Sequence, residues 1–501
     1  MSLNTILTVD AGTSRLKAAL YSTEGKALAI ASRNMTVIHP FDGASEMDMC
    51  AVWDGMVECC LELSRAHPEE WKRLTGIAMT GQGDGLWPVD EHGKPVRNAI
   101  LWNDSRCKRL QLANEAEITA FGVAHSISPL FVAAKPLLLK WMAENETDLF
   151  KRVRYALYCK DWLVYCLTGR MVTERTDAST SMMNILEDQY EFELLDLLGL
   201  PKGTVELFPE IVDSLQIVGK TTQAAQDACA TPAGIPVMAG TIDVVATSFG
   251  AGARLPGDAV TTLGTTFCNQ VVLTAEQVSH EDVAGSTLCY IYPKRFVRVM
   301  ASSNGCSAID WARSVFMQGK EFCDIESGVA QIPAGSDGVF FLPYLNGERA
   351  PFRESCAAAQ FSGISPQHTP SHLMRAVYEG LVYSLKDCYS HLPIGETPIV
   401  LAGGATGSKV LCQMCADILN RPMLRIPEQE FGLHGMAMGL LEALGIGSPR
   451  LSLEERGEIF TPDKIASEIY QEGFSIYCQL REAMTPFWKN RDVFLSNLHS
   501  R

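Results

Sequence analysis

The sequence predicts an α/β protein built from two related domains that flank a cleft. Its 501 residues exceed what one hydrophobic core usually organises. A pattern of apolar strand, Gly-Thr turn and second apolar strand occurs at 7–20 and again at 260–273. Strand-like and helical stretches alternate after Val339. Because each copy of the repeated pattern begins about half of the chain, we expect one domain over residues 1–248 and another over 249–501.

Composition argues against several classes of function. The formal net charge of −16 disfavours a nucleic acid or an anionic membrane surface as partner. No apolar run reaches the length of a bilayer span and no signal-peptide pattern is visible, so we expect a cytoplasmic protein. The 16 cysteines then predict reduced, mostly buried thiols. The pair Cys412 and Cys415 lies in a helical pattern and favours no zinc or redox site.

Local patterns predict the individual elements. Alternating apolar residues indicate strands at 5–10, 16–22 and 27–37, joined by tight turns into an antiparallel meander. The other predicted elements are helices at 49–65, 130–145, 160–167 and 464–489, strands at 75–80 and 235–239, a hinge at 250–257, and a second meander at 287–301.

The turn after the first strand has a composition that suits phosphate. Gly12 allows the backbone to approach a ligand closely, and Thr13 and Ser14 add hydroxyl donors to its N–H groups. Lys17 could reach the same phosphate oxygens, and the carboxylate of Asp10 could hold a hydrated Mg²⁺ beside them. Turns of this kind also occur without any ligand. Taken alone, the residues favour a plain hairpin turn.

The second half of the chain offers two further candidate loops. The turn of the repeated pattern has no acidic residue, as expected of a loop that only holds phosphate; it consists of Gly264, Thr265 and Thr266. Gly403 and Gly404 follow an apolar stretch and precede a helical pattern that carries Ser408, which would let a flat ligand such as a nucleoside approach. Without context, a tight turn packed on a neighbouring element is the better explanation of these glycines.

A candidate base and the candidate residues for binding a hydroxyl-rich ligand lie in the first half of the chain. Asp243 precedes a helical pattern, where an aspartate is most often an N-cap, yet a base facing a cleft would also lie there. Segments 80–85 and 101–106 combine amide, carboxylate and small residues after apolar strands, which suits the hydroxyls of a sugar or polyol. Their candidate residues are Gln82, Gly83, Asp84, Trp102, Asn103, Asp104 and Arg106.

In their order along the chain, these segments resemble the FGGY carbohydrate kinases. Residues 10–17 are similar to the first phosphate motif of that family, 76–85 to its GxxxxGQxHG segment, and 101–106 to its LWNDxR segment. The most specific match is AQFSGISPQHTPSHLMRAVYE at 359–379, where the spacing of a family signature is met by Phe361, Gly363, Ile364, His372, Leu373, Ala376, Val377, Tyr378 and Glu379.

The resemblance implies two actin-like ATPase domains with the ribonuclease-H fold, which phosphorylate a terminal hydroxyl of a small sugar with ATP. Asp243 would be the catalytic base, and Mg²⁺ would be held by Asp243 and, through water, by Asp10. The two Gly-Thr turns, Lys17 and the 403–408 segment would bind ATP, and segments 80–85 and 101–106 the sugar. The expected partners are a sugar or polyol and ATP or ADP; a homodimer is compatible with the sequence.

The choice of acceptor stays open. LWNDSR favours the xylulokinase-like branch, and so xylulose or a related pentulose. Gly83 and Asp84, however, stand where xylulokinases usually carry Met-His, and GQGDG looks more like erythritol or L-xylulose kinases. A linear polyol or L-xylulose is therefore the alternative. A non-phosphorylating actin-fold sugar sensor should carry a DNA-binding helix-turn-helix or a basic arm, and the sequence shows neither.

Overall fold

The computed structural model describes residues 4–279, 284–427, 430–447 and 453–499. They form two compact units. The first holds the described residues within 1–252, 274–297 and 430–450, and the second those within 253–273, 298–429 and 451–501. The predicted hinge at 250–257 thus contains the point at which the chain passes from the first unit into the second. None of the described helices is both long and apolar enough to cross a membrane.

The sheet of the first unit is organised around the first strand of the chain. Thr5–Ala11 pairs antiparallel with Arg15–Ser22, and Asp10 lies opposite Lys17. On its other side it runs parallel to Leu74–Gly81. In order across the sheet, the strands are Ile217–Lys220, Pro236–Met238, Leu74–Gly81, Thr5–Ala11, Arg15–Ser22 and Ala27–Asn34, with Thr241–Ile242 also pairing with Leu74–Gly81.

Helices cover both faces of this sheet. Leu7, Val9 and Ala11 alternate along the first strand and pack into one core with the helices Met49–Ala66 and Cys159–Thr168. The other face carries the helix Phe431–Ala443, which packs on the two central strands. The remaining helices are Pro68–Trp71, Lys108–Ala113, Glu115–Ala124, Lys135–Asn145, Thr147–Phe150, Arg175–Ala178, Glu193–Leu197, Gln223–Cys229 and Asp243–Gly250, with 3₁₀ turns at Lys202–Leu207 and Ala275–Gln277.

Short strands complete the first unit. Each pairs with one other short strand, which fixes the loops around the main sheet. The pairs are Glu46–Met47 with Ala99–Ile100, Trp87–Val89 with Tyr155–Leu157, Val172–Glu174 with Glu210–Val212, and Met183–Asn184 with Gln189–Tyr190; Ser286–Cys289 is a further strand.

The second unit repeats the same central arrangement. Ala259–Leu263 pairs antiparallel with Phe267–Leu273 and parallel with Ile399–Ala402. Its sheet continues through Met423–Arg425 to Glu458–Phe460, and Phe296–Ala301 flanks Phe267–Leu273. The other elements are a Phe340–Leu342 and Gln360–Ser362 pair, the helices Cys306–Phe316, Phe322–Gln331, Pro370–Tyr389, Lys409–Leu419, Leu453–Arg456 and Lys464–His499, and 3₁₀ turns at Ser336–Gly338 and Gly404–Gly407.

Most predicted elements are confirmed within a few residues, with two wrong boundaries. The helix predicted to end at 489 continues to His499. The helix predicted at 130–145 begins only at Lys135. The backbone of Ala134 is extended, and Pro136 occupies the first turn, where its missing N–H breaks no helical hydrogen bond. The thiols are all free and nine of the sixteen are buried, as predicted; Cys412 and Cys415 are buried in one helix.

Candidate active site

Three parallel strands of the first unit end side by side. Asp10 lies opposite Thr80, and Thr80 lies opposite Thr241, so the strand ends are in register. The hydroxyl of Thr80 also donates to the carbonyl of Thr241 (2.8 Å). Parallel strands send the loops that follow them to one edge of the sheet, which is where α/β proteins bind ligands. The turn 12–14, the loop 82–85 and Asp243 therefore share this edge.

Hydrogen bonds connect the predicted phosphate turn with the two segments predicted to bind a sugar or polyol, 80–85 and 101–106. The Gln82 backbone N–H donates to the carbonyl of Ala11 (3.1 Å). The Thr13 hydroxyl donates to Gln82 Oε1 (3.0 Å) and accepts from Trp102 Nε1 (2.9 Å). Three segments that are far apart in the sequence thus come together around Thr13.

The loop 82–85 is tightly packed and holds unusual backbone geometry. A Cβ on Gly83 would lie 1.9 Å from Cδ1 of Ile242, so any side chain at that position would require Ile242 to move. Asp84 has a φ of 51°, in the left-handed region, and its Oδ1 is buried without a hydrogen-bond partner. The amide nitrogen Nε2 of Gln82 is likewise buried and without a partner. A ligand with several hydroxyl groups could form hydrogen bonds with both of these atoms.

The three carboxyl groups at this edge all have raised pKa values. Burial raises the pKa of Asp10 to about 6, with Lys17 opposing the shift and Glu430 adding to it. Burial also raises that of Asp84 to about 6, against a hydrogen bond from Thr180 and the charge of Lys135. Asp243 reaches about 7, because burial and then the charge of Asp10 disfavour its ionised form.

Asp243 is the first residue of the helix Asp243–Gly250, and the N-cap position is occupied by Ile242. Its Oδ1 accepts from the backbone N–H of Val244 (2.7 Å). The backbone N–H of Ile242 donates to the Thr176 hydroxyl (2.8 Å), which in turn donates to Glu174 Oε1 (2.6 Å). Thr176 and Glu174 thereby fix the chain just ahead of Asp243.

A buried cluster of charges supports this arrangement, and no sequence pattern indicated a role for it. Lys160 forms ion pairs with Asp161 (2.8 Å), Asp177 (2.9 Å) and Glu174 (3.3 Å). Burial alone would lower the pKa of Lys160, but these carboxylates raise it well above its usual value. The available signal was the density of charged residues at 160–177 in a stretch that is otherwise largely apolar.

A second buried lysine lies close to Asp84. Lys135 donates to the carbonyl of Ala156 (2.7 Å), and its Nζ lies 3.2 Å from the ring centroid of Tyr158. Burial lowers the pKa of Lys135 to about 7, against the charges of Asp161, Asp177 and Asp84. A lysine in this state compensates the carboxylate of Asp84 only in part.

Other predicted residues of this unit have partners within the protein. Lys17 Nζ lies 2.5 Å from Glu430 Oε2. Asp104 is fully buried and accepts from the Ser45 N–H and from Arg106 Nε. The Arg106 guanidinium also stacks on Trp141 and pairs with Glu46, while Trp102 and Asn103 are exposed. Asp104 and Arg106 therefore hold the loop 101–106 in shape, and Nη1 of Arg106 is still without a partner.

In the second unit, the other predicted loops converge on one pocket. The pocket has a volume of about 430 Å³ and is lined by both the repeated turn and the 404–408 segment. A Cβ on Gly403, whose φ is +93°, would lie 2.6 Å from the carbonyl oxygen of Leu263, so the two loops approach closely. The lining residues are Leu263, Gly264, Thr265, Cys306, Ile309, Asp310, Phe322, Tyr378, Gly404, Ala405, Gly407, Ser408 and Leu411.

A helix N-terminus holds the second turn, which the sequence did not predict. The Cys306 N–H donates to the carbonyl of Gly264 (3.0 Å), and the Ser307 hydroxyl donates to that of Thr265 (3.0 Å). A Cβ on Gly305 would lie 2.7 Å from backbone atoms of Thr266. Thr265 and Thr266 themselves are exposed. The turn is thus rigidly held while its hydroxyls face outward.

Two hydroxyl groups in the lining of this pocket pair with one carboxylate, that of Glu326. Ser408 caps the helix Lys409–Leu419 by accepting from the Leu411 N–H, and its hydroxyl donates to Glu326. The Tyr378 hydroxyl donates to the same Glu326 oxygen (3.4 Å). Tyr378 belongs to the signature at 359–379, which is the signal that could have pointed to it.

The donor set of the first unit fits a magnesium ion bound mainly through water and phosphate. Among the described residues, no three carboxylate, thiol or imidazole groups lie close enough to ligate one ion. Mg²⁺ is commonly held by one or two carboxylates together with substrate phosphates, and it keeps several waters. The charge of Asp10 makes the ionised form of Asp243 less favourable, and a divalent cation beside them would offset this effect.

Comparisons with known proteins agree with this geometry. Residues 5–250 match the model of the N-terminal domain of the FGGY family of carbohydrate kinases, and 259–442 match that of its C-terminal domain. The chain is 28% identical to a probable L-xylulose kinase of Haemophilus influenzae (95% of this chain, 98% of the relative). It is 29% identical to the erythritol kinase of Brucella abortus (96% and 97%).

The fold is likewise that of solved structures. The ligand-bound xylulose kinase of Lactobacillus acidophilus superposes with a TM-score of 0.88 at 23% identity, over 97% of this chain and all of the other. The two-unit α/β architecture predicted from the duplicated pattern is therefore confirmed as the fold of these kinases, with which the actin-like ATPase fold is consistent.

Proposed function

The chain belongs to the FGGY family of carbohydrate kinases, and on that premise we propose that it transfers the γ-phosphate of ATP to a terminal hydroxyl of xylulose or a related pentulose. Family membership makes the protein a sugar kinase with ATP as its second substrate. The pentulose is supported by the likeness to an L-xylulose kinase. We keep 1–248 and 249–501 as the proposed division into domains, and a cytoplasmic location stays a prediction.

The observation that carries the chemical proposal is the position and state of Asp243. Its carboxyl group lies at a strand end beside Asp10 and Asp84, with a pKa of about 7. A general base works best when its pKa is near the working pH, because it is then both ionised and able to hold a proton. Asp243 would accept the proton of the sugar hydroxyl as its oxygen bonds to the γ-phosphorus and the bond to ADP breaks.

Positioning accounts for most of the remaining catalysis. Phosphoryl transfer has a loose transition state, so alignment and charge stabilisation matter more than covalent help from the protein. We assign the adenosine to the second-unit pocket at 403–408 and the phosphates to the turn 264–266, with 12–14 and Lys17 as the other phosphate loop. Asp243 and, through water, Asp10 would hold Mg²⁺, which when bound neutralises charge on the phosphate oxygens.

The sugar would lie against the loops 82–85 and 101–106. Gln82 and Asp84 supply the buried polar atoms without partners, and Trp102 supplies an exposed ring. Asp84 also favours a second candidate, a linear polyol such as erythritol. A carboxylate accepts hydrogen bonds from several hydroxyls of an acceptor that has no carbonyl group, and the likeness to an erythritol kinase supports this alternative.

ADP release over an acceptor panel tests the proposal. The panel contains D-xylulose, L-xylulose, erythritol, glycerol and gluconate, each with Mg·ATP. We expect a pentulose to give the highest kcat/KM; erythritol in first place would establish the second candidate. Slow ADP release that no acceptor accelerates would contradict both and favour a non-phosphorylating sugar sensor.

A further inference from the structure

The space beside Gly83, in the loop 82–85, is filled by a side chain of another segment. A Cβ on Gly83 would lie 1.9 Å from Cδ1 and 2.6 Å from Cγ1 of Ile242, and 3.3 Å from Oδ1 of Asp177. Ile242 is only 5% exposed and Asp177 is fully buried, so neither side chain has solvent to move into. A side chain at position 83 and the side chain of Ile242 therefore compete for one space.

Contacts, and not the backbone conformation, oppose a side chain at position 83. The φ of Gly83 lies outside the left-handed region, so its φ does not call for glycine. Gly85 differs, because its φ is +76° and a Cβ there would lie 2.4 Å from the carbonyl oxygen of Ile100. A side chain at position 85 is thus opposed by backbone atoms, whereas one at position 83 is opposed first by Ile242.

Ile242 is held in place on both sides of its backbone. It lies opposite Gly81 in the parallel strand pairing, and its N–H donates to the Thr176 hydroxyl (2.8 Å). Isoleucine is branched at Cβ, which restricts χ1. Rotation about χ2 moves only Cδ1 and leaves Cγ1 2.6 Å from a new Cβ on Gly83. Relief would therefore need a change at χ1 or in the backbone immediately ahead of Asp243.

We propose that Ile242 is a positioning residue that fixes the spacing between Asp243 and the loop 82–85. The proposal rests on the proposed function, which makes Asp243 the base and this loop part of the acceptor site. Ile242 immediately precedes Asp243, and Gly83 lies between the two loop residues that offer buried polar atoms without partners. From 1.9 Å, ordinary carbon–carbon contact is reached only if the two segments move apart by about 1.5 Å. A misplacement of about 1 Å can already cost about 100-fold in rate.

Gly83→Ala tests this contact, and Ile242→Ala is the substitution that should rescue it. With the best acceptor of the panel, we expect Gly83→Ala to lower kcat by about 100-fold and to leave the KM for ATP within about twofold. Ile242→Ala removes both Cγ1 and Cδ1, so the double variant should regain at least about 10-fold of the lost kcat. An unchanged kcat in Gly83→Ala, or a double variant no faster than Gly83→Ala, would overturn the proposal.

Two substitutions in the same unit are matched controls. Gly85→Ala should also lower kcat, but Ile242→Ala should not rescue it, because the obstacle there is a backbone carbonyl. Ile235 is as buried as Ile242, at 5% exposed, yet it precedes the strand Pro236–Met238, at the opposite end from the site. Ile235→Ala should lower the Tm and leave kcat within about twofold. Rescue of Gly85→Ala, or a loss of kcat in Ile235→Ala equal to that in Ile242→Ala, would indicate general core packing and overturn the proposal.

Denaturant titrations of the same variants separate this proposal from the proposed function. If the side chains at 83 and 242 compete for one space, the double variant should unfold at a higher denaturant midpoint than Gly83→Ala alone. A double variant that unfolds at or below the midpoint of Gly83→Ala would overturn this proposal even in an active kinase. Failure of every acceptor to accelerate ADP release by the unmodified protein would instead contradict the proposed function, whatever the midpoints.

Discussion

The two Gly-Thr turns, 12–14 and 264–266, lie on similar strand arrangements but differ in the charged groups around them. Each turn joins an antiparallel strand pair whose first strand also pairs in parallel with a strand leading into a glycine-containing loop. At the end of the first pair lie Asp10, Asp84 and Asp243, all with raised pKa values. At the second turn, the pocket of about 430 Å³ has one carboxylate in its lining, that of Asp310, and the N-terminus of the helix Cys306–Phe316 holds the turn.

In the proposed function, this difference gives the two units different tasks. Carboxylates close to one another destabilise their own ionised forms, which is useful for moving protons and attracting a cation but not for binding an anion. A glycine-containing turn with exposed hydroxyl residues is suited to phosphate. In the proposed function, the first unit would accept the proton and the second would hold the nucleotide. Substitutions in each unit should separate the two tasks.

The largest expected effect follows from Asp243→Asn. The amide cannot accept the proton of the acceptor, so we expect kcat to fall by about 10³-fold, within the range for lost general bases. Nucleotide affinity, measured by calorimetry, should stay within about twofold because the second-unit pocket is unchanged. Turnover close to that of the unmodified protein would remove Asp243 from its proposed role.

A smaller effect, confined to the second unit, is expected for Gly403→Ala. The new Cβ would meet the Leu263 carbonyl at 2.6 Å in a left-handed backbone, so the 403–408 loop and the 264–266 turn must move apart. We expect nucleotide affinity to fall by more than about tenfold, together with a lower Tm. Gly404→Ala is the control, since its Cβ has nothing within 4 Å. Equal effects of both substitutions would argue against the close approach as cause.

Asp84→Asn should change which acceptor is preferred. Asparagine tolerates the left-handed backbone at this position, so the loop should keep its shape while the negative charge is lost. We expect the ratio of kcat/KM values for polyol and pentulose to change by about tenfold, with the KM for ATP unchanged. An unchanged ratio across the acceptor panel would show that Asp84 does not select the substrate.

The last expected effect is on stability instead of activity. Asp243 has a pKa of about 7, against 3.8 for an unperturbed aspartate, so between these values the folded protein binds more protons than the unfolded chain. The contribution of this group to stability therefore falls as pH rises through that window. Asp243→Asn should then be more stable than the unmodified protein by about 4 kcal/mol at pH 8, and nearly equal to it near pH 4. Equal unfolding free energies at pH 8, from denaturant titrations, would contradict the raised pKa.

The sequence by itself determined the duplicated hairpins and the polar segments that follow them. Strand alternation and turn residues are local signals, so the positions of Gly12, Thr13, Gly264 and Asp243 at strand ends could be predicted. Their ordered resemblance to one family then indicated a sugar kinase. Local signals also misplaced two boundaries, because apolar periodicity alone does not mark where a helix begins or ends: one helix begins only at Lys135, next to Pro136, and another continues past 489 to His499.

Only the tertiary structure decided which polar residues are free to act. Asp104 and Arg106 looked like Asp84 in the sequence, yet they pair with Ser45 and Glu46, which lie about 60 residues away. Lys160 and Glu174 likewise form a buried ion pair that only the folded structure reveals. Burial and long-range pairing set the pKa and the availability of a side chain, and both depend on neighbours that no local pattern encodes.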